Sequence, residues 1–515
     1  RRVQWRARPN PATAIEDQFT PLLRIVPHAM REANSYYAPD QVALQFGYFE
    51  AGSASPKELI PGSMVFTCLS HDIVAHETTH AIVDGMYSRF REATNPDVLA
   101  FHEAFADIVA LFQHFTMTEV LEAQIGGTRG KLEGESMLGS LAVQFGLATG
   151  ARGALRNAIG TVNDGVWTRQ QPDPTLYNKV SEPHALGSIL VAAIFDAFLA
   201  IYKTRTDDLL RIYTGGTGVL PAGAIHPDLV KRLAREASKS ARHVLWICIR
   251  ALDYVPPVDI TFGEFLRAII TADTDLVADD PLDYRVAFVE AFRQRGIYPR
   301  DLQTLSIESL MWQGLEVSKP QLKILNSIVA KLKTFNNRSL YRNREQLFKL
   351  TLSTRKALEK SLQPIFQREH ELADAIGLDP QVTVKAPAQT SGGGNAKPPI
   401  EVSSLKRREL VGPDGQKLPQ VVVTLTQSIP MQVSGSATPM PFRGGCTLIV
   451  DLKSRQTESP QIRYAIFKRV NSESRQDQTR QNLAAAINQQ GMDAYLAPVN
   501  NPFALLHRIT SGQSS

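Results

Sequence analysis

The stretch HDIVAHETTHAIVDG, residues 71–85, constrains this chain more than any other. It sets His76 and His80 four positions apart around Glu77, with β-branched residues inside an otherwise helical pattern. On an α-helix, positions four apart differ by about 40° around the axis, so both imidazoles project from one face, one turn apart. One tetrahedral metal ion can take both, and Glu77 then lies close enough to touch a metal-bound water. An exposed polar helix face produces the same five-residue pattern, so the chemistry requires a third donor.

Downstream, DVLAFHEAFADIVALF (97–112) reads as an amphipathic helix carrying Glu103 and, one turn on, Asp107 on the same face. Glu103 can complete a His, His, Glu set, leaving the fourth position of a catalytic zinc for water. Asp107 can accept the free ring N–H of a ligand histidine. In such a site the zinc acidifies water and polarises a scissile carbonyl. Glu77 would take the water's proton as general base and pass it to the leaving amine. These residues predict a hydrolase that holds one zinc ion.

VAHETTHAIVDG followed by AFHEAFADIVA resembles the two signature helices of the thermolysin-like gluzincin metallopeptidases. The resemblance continues in chain order over about residues 20–300. NSYYAPDQVALQFGYF (34–49) is similar to the family's edge strand, and GALRNA (153–158) to its Leu-Arg segment. EPHALGSILVAAIFDAF (182–198) is similar to its histidine-led helix, and FGEFLRAIITADTDL with RVAFVEAFRQRGI to its last helices. The resemblance implies zinc ligands His76, His80 and Glu103, with Glu77 as general base and Asp107 orienting a ligand histidine. It further implies that His184 stabilises the oxyanion, Arg156 binds a substrate carbonyl and Asn34 binds substrate main chain. Ile73 and Leu155 fall where the family lines its pocket for the residue after the cut, which implies a preference for bulky apolar side chains there.

The chain also departs from that pattern. Arg91 and Thr94 stand at the candidate positions of the family's tyrosine, with Tyr87 nearer the first helix, and Glu182 is the nearest acid before His184. Asp72 matches one calcium-binding acid, but His114 stands where a shared glutamate would be, so calcium is not expected. His71, His102 and His114 are expected to pack or cap. Two rival readings remain open. GYFEA (47–51) faintly echoes the aminopeptidase motif for a free amino terminus, and a zinc-stabilised scaffold or binding protein could keep these residues without turnover.

At 515 residues the chain has room for two to four domains. The expected class is α+β: a thermolysin-like two-lobe body, a helical extension and a small β-rich module. The expected divisions are a mixed α/β N-terminal lobe at 1–120, a helical lobe at 121–300, the extension at 301–384, a linker at 385–399 and a β-rich module with a Gln-rich tail at 400–515. SILVAAIFDAFLAIY (188–202) is too short for a membrane span and carries Asp196, so it reads as a core helix and no membrane partner is expected. The net charge is +5, and residues 331–356 hold eight Lys or Arg against one acid, Glu345. A solvated helix face is the expected reading of that run, with no nucleic-acid partner. The expected partner is a peptide or protein substrate, with room for a protein partner at the C-terminal module. Three scattered cysteines fit a reducing compartment, and cytoplasmic localisation is the expectation. The opening RRVQWRARPN has no initiator Met and reads as a trimmed or processed end.

Overall fold

The computed structural model describes residues 6–7, 18–19, 22–51, 62–132, 160–163, 166–336, 343–382, 384–385, 395–396, 400–411, 415, 417–436, 439–453, 460–488 and 502–507. The fold is mixed α+β. Its first sheet runs Arg24–Met30, Ala43–Glu50 and Ser35–Ala38 in that spatial order, with Met64–Phe66 also paired to Ala43–Glu50. Among the described residues Ser35–Ala38 pairs only with Ala43–Glu50, in antiparallel register from Ser35 opposite Phe46 to Ala38 opposite Ala43, so its other side is a sheet edge there. Gly47 makes that edge possible. A Cβ there would lie 2.2 Å from the Glu32 carbonyl oxygen and 2.5 Å from that of Asn34, while the Gly47 N–H donates to Asn34 at 2.8 Å. Only glycine lets the chain cross this closely, and the crossing sets Asn34 at the head of the edge strand.

Helix α1 (His71–Met86) follows the sheet and helix α2 (Pro96–Gln113) packs against it. α2 begins as its sequence requires: the Asn95 side chain accepts from the Asp97 N–H at 2.8 Å, and Pro96 occupies the first turn. Its side chains are buried on nearly every face, so it is a core helix and not the amphipathic one expected from its pattern. α4 (Pro183–Tyr213) and α5 (Pro227–Ala251) pack on α2, α3 (Thr118–Thr128) and α6 (Phe262–Leu276) pack on α5, with Phe265 of α6 also edge-on to Phe101 of α2, and α7 (Tyr284–Gln294) packs on α4. α2 and α4 are both long and apolar enough to span a bilayer, and here they are buried against each other. They approach closely because Gly187 has no side chain, since a Cβ would stand 2.8 Å from the Ala100 carbonyl.

The extension and the β-rich module do not divide as the sequence suggested. Ile400–Val411, Lys417–Met431, Met440–Asp451 and Gln461–Lys468 form a four-stranded antiparallel meander. Val423, Leu425, Leu448 and Val450 share one core with Leu358, Leu362 and Phe366 of the helix Arg344–Phe366. Ile449 and Ile466 join the core of the helical lobe. Helices therefore cover both faces of the sheet, and the extension and module are one packed body joined to the lobe. Arg408 pins the join. Its guanidinium donates to the Tyr254 hydroxyl at 2.8 Å and to Gln420 Oε1 at 2.6 Å, and it pairs with Asp253 at 3.3 Å. Most of the expected linker at 385–399 lies outside the described residues, apart from Asn395–Ala396 pairing with Val384–Lys385. The Gln-rich tail holds a helix, Glu473–Asn488, whose Leu483 packs with Met431, Phe442 and Val470, and a short helix, Pro502–Leu506, against the N-terminal sheet. In the basic run, Lys349 pairs with Glu345 and Arg355 donates to the Val402 carbonyl, while Arg338 and Arg342 lie outside the described residues.

Asp196, the acid inside the apolar run of α4, is 8% exposed and accepts from Arg295 Nε at 2.7 Å. Removing one partner of such a buried pair strands the other charge. Asp196→Ala should lower the unfolding free energy by about 3–5 kcal/mol in urea titration. Glu290→Ala, which breaks an exposed pair with Arg293, should cost about 1 kcal/mol or less.

Candidate metal centre

α1 and α2 bring His76, His80 and Glu103 to one point. The two Nε2 atoms of the histidines are 2.8 Å apart, and Glu103 Oε2 lies 3.3 Å from that of His76 and 3.6 Å from that of His80. His507 supplies a fourth atom, with its Nε2 3.1 Å from Glu103 Oε2. All four side chains are buried, and their donor atoms lie within 4.8 Å of one another.

The outward faces of the rings are occupied. His76 Nδ1 is 2.8 Å from Asp107 Oδ1, and His80 Nδ1 is 2.9 Å from His102 Nδ1. A proton held on each outer nitrogen turns the inner Nε2 lone pair toward the common point, the arrangement by which metal-binding histidines are oriented. Several lone pairs converging in a dry site need a cation or shared protons between them. Glu103 Oε1 and Glu77 Oε2 are also buried without a hydrogen-bond partner among the described residues. The residues therefore fit a metal ion, which this cluster could hold.

The electrostatics of the cluster point the same way. Burial would raise the Glu103 carboxyl, but His80, His507 and His184 hold it well below the usual carboxylate range. Burial would likewise raise Glu77, and His507 lowers it. Burial would lower His76, yet Asp107 and Glu103 push it up to about 9. Burial lowers His80. His507 is driven well above the ordinary imidazole value by Glu77 and Glu103 against the opposing effect of burial.

The remaining expected residues fall as follows. Glu77, in α1 beside His76, places Oε1 3.1 Å from His507 Nδ1. His184, in the first turn of α4, reaches Glu103 Oε2 at 3.4 Å through Nε2, while its Nδ1 lies 3.0 Å from Glu182 Oε1. Glu182 also caps α4 by accepting from the Ala185 N–H at 2.6 Å, so the acid that precedes His184 both starts its helix and orients its ring. Asn34 Nδ2 donates to the Ala504 carbonyl at 3.3 Å. Ile73 is fully buried in a cluster with Tyr37, Phe46, Ala81 and Phe503. Leu155 and Arg156 lie outside the described residues. Tyr87 donates to the Leu252 carbonyl, Arg91 pairs with Asp84 at 2.9 Å, and Thr94 donates to Asp259 at 2.8 Å. Glu50 of the GYFEA segment pairs with Arg31, both more than half exposed.

One member of the cluster, His507, and one ring that backs it, His102, were not assigned by the sequence. His102 was expected only to pack or cap, and it stands directly behind His80. His507 lies 404 positions from Glu103 in a segment with no metal-ligand spacing, so no local pattern pointed to it. Outside this centre, His71, Asp72 and His114 also bring three donor atoms within 4.8 Å of one another, with His114 bonded to Asp72. Protein-family models, curated proteins and solved structures contain no match to this chain.

His80→Ala should abolish metal retention after dialysis. Asp107→Ala, which frees the His76 ring, should weaken affinity by about 10- to 100-fold in a chelator competition. Because an imidazolium cannot ligate, affinity should rise with pH toward about 9, where His76 sheds its proton. An affinity independent of pH between about 6 and 9 would contradict the assignment of His76 as a ligand.

Proposed function

We propose that this protein is a zinc-dependent endopeptidase of thermolysin-like type, acting on peptide or protein substrates. The observation that carries the reading is the buried Glu77 carboxylate, held ionised and without a partner for Oε2, beside a converging His76, His80 and Glu103 donor set. A site that only stabilised a fold would have no use for an ionised base beside its metal. When bound, zinc would supply Lewis acidity to the attacking water and the scissile carbonyl.

The chain's own residues supply the rest. Glu77 Oε2 is the free acceptor that would take the proton of a water and return it to the leaving amine. His184, oriented by Glu182 through Nδ1, presents Nε2 to the cluster, where the doubly protonated ring would donate Nε2–H to an oxyanion. The edge strand Ser35–Ala38 offers backbone groups to an extended peptide, and the Asn34 amide already donates to a peptide carbonyl of this chain. The apolar cluster around Ile73 and Tyr37 supports a bulky apolar side chain beside the cut bond.

A second reading has its own support. His507 as a fourth donor would complete a closed coordination set, which is the pattern of a structural site in a non-catalytic protein. Glu77→Gln separates the two. It should retain metal while hydrolysis of amino-blocked peptides falls by about 100- to 10,000-fold. Undiminished hydrolysis in Glu77→Gln would falsify the mechanism, and absence of Glu77-dependent hydrolysis with metal retained would favour the structural reading.

A further inference from the structure

The segment Pro502–His507 lies between the edge strand and the metal centre, and four separate contacts hold it. The Ala504 carbonyl accepts from Asn34 Nδ2 at 3.3 Å. His507 Nδ1 lies 2.8 Å from the Ser35 carbonyl oxygen and can donate to it. Phe503 is fully buried, its ring centroid 4.5 Å from that of His80, 4.9 Å from His102 and 6.1 Å from Tyr37. His507 Nε2 completes the donor cluster 3.1 Å from Glu103 Oε2. Asn34, Ser35, the apolar cluster around Ile73 and the metal centre are the features that the peptidase reading assigns to substrate, and one segment of the chain contacts all of them.

We propose that Pro502–His507 is a built-in plug that keeps the site latent, with His507 acting as a reversible fourth ligand to the metal. The proposal rests on the peptidase reading for what is being held in check, but the coordination it describes stands apart from turnover. With Nδ1–H donated to Ser35, the imidazole is fixed in the tautomer whose Nε2 lone pair faces the centre. The same ring stands 3.1 Å from Glu77 Oε1, so it takes the ground that the attacking water needs on both the metal and the base sides. The plug is also protected from cleavage. Pro502–Leu506 is helical, and the Phe503 carbonyl accepts from the His507 N–H at 3.1 Å, so that carbonyl is folded into its own turn. A substrate would instead lie extended along the edge strand. Because the plug is tethered, its local concentration is on the order of millimolar, and an incoming peptide must displace it.

The test uses the full chain loaded with cobalt(II), whose visible spectrum reports coordination, and acetohydroxamate as a small probe of the fourth position. In the wild type the spectrum should respond to acetohydroxamate only weakly. In His507→Ala it should change at concentrations at least about tenfold lower, because the competent state is no longer a minor fraction. Phe503→Asp keeps the ligand but weakens its docking, and it should shift the response in the same direction. Hydrolysis of amino-blocked peptides should rise by about tenfold or more in both variants. Identical spectra and equal acetohydroxamate responses in wild type and His507→Ala would overturn the plug. An opened site in both variants with no peptide hydrolysis would overturn the peptidase reading while supporting His507 as a ligand.

Discussion

The burial of one carboxylate, Glu103, at the interface of α1 and α2 sets the terms for everything around it. The residue is 1% exposed, and an uncompensated charge there would cost several kcal/mol. Compensation comes from His76, His80, His184 and His507, each within 3.6 Å of Glu103 Oε2. Three chain segments therefore converge on an oxygen that α2 carries. One is α1, with two of the histidines, one begins α4, and one arrives from the far end of the sequence. The requirement to satisfy Glu103 thus specifies tertiary structure, since none of these rings can move without leaving the buried carboxylate short of a polar partner in a dry site.

That convergence explains which parts of the site were readable. His76, Glu77 and His80 lie on one helix, so the 3.6-residue period alone gathers them. Glu103 and Asp107 are legible for the same reason on the next helix. His184 needed the resemblance to a known family, because an isolated histidine before an apolar helix has no spacing to interpret. His507 had no such help. Its role depends on a long-range contact, and PFALLHR resembles any short amphipathic piece. His102 was discounted although it adjoins Glu103, because sequence position alone does not tell which side of a helix faces His80.

The fold followed the same division between local and long-range information. The sequence placed a β-rich module beyond residue 399, and the four-stranded meander lies there. What that expectation could not convey is that both faces are covered, one by Arg344–Phe366 and one by the helical lobe. The Pro-, Gly- and Ser-rich stretch at 385–399 suggested a division between bodies, yet the apolar residues on either side of it build a common core. Linker composition describes the connecting chain and carries no information about whether the segments it connects pack together.

The shared core gives the appended body a mechanical connection to the metal centre. Asp259 accepts from Thr94 and Asn95, the residues that start α2, and Arg475 of the helix Glu473–Asn488 pairs with the same carboxylate at 3.1 Å. Arg443, on the sheet, pairs at 2.8 Å with Glu92 in the turn that leads into α2. α2 carries Glu103, so the end of the helix that positions the central carboxylate is held by the body that follows residue 300. The plug Pro502–His507 touches the same helix, at Glu103 and His102. Sheet and plug thereby both bear on α2, and a load that shifted the body against the lobe would reach Glu103, and with it the contact to His507, through α2.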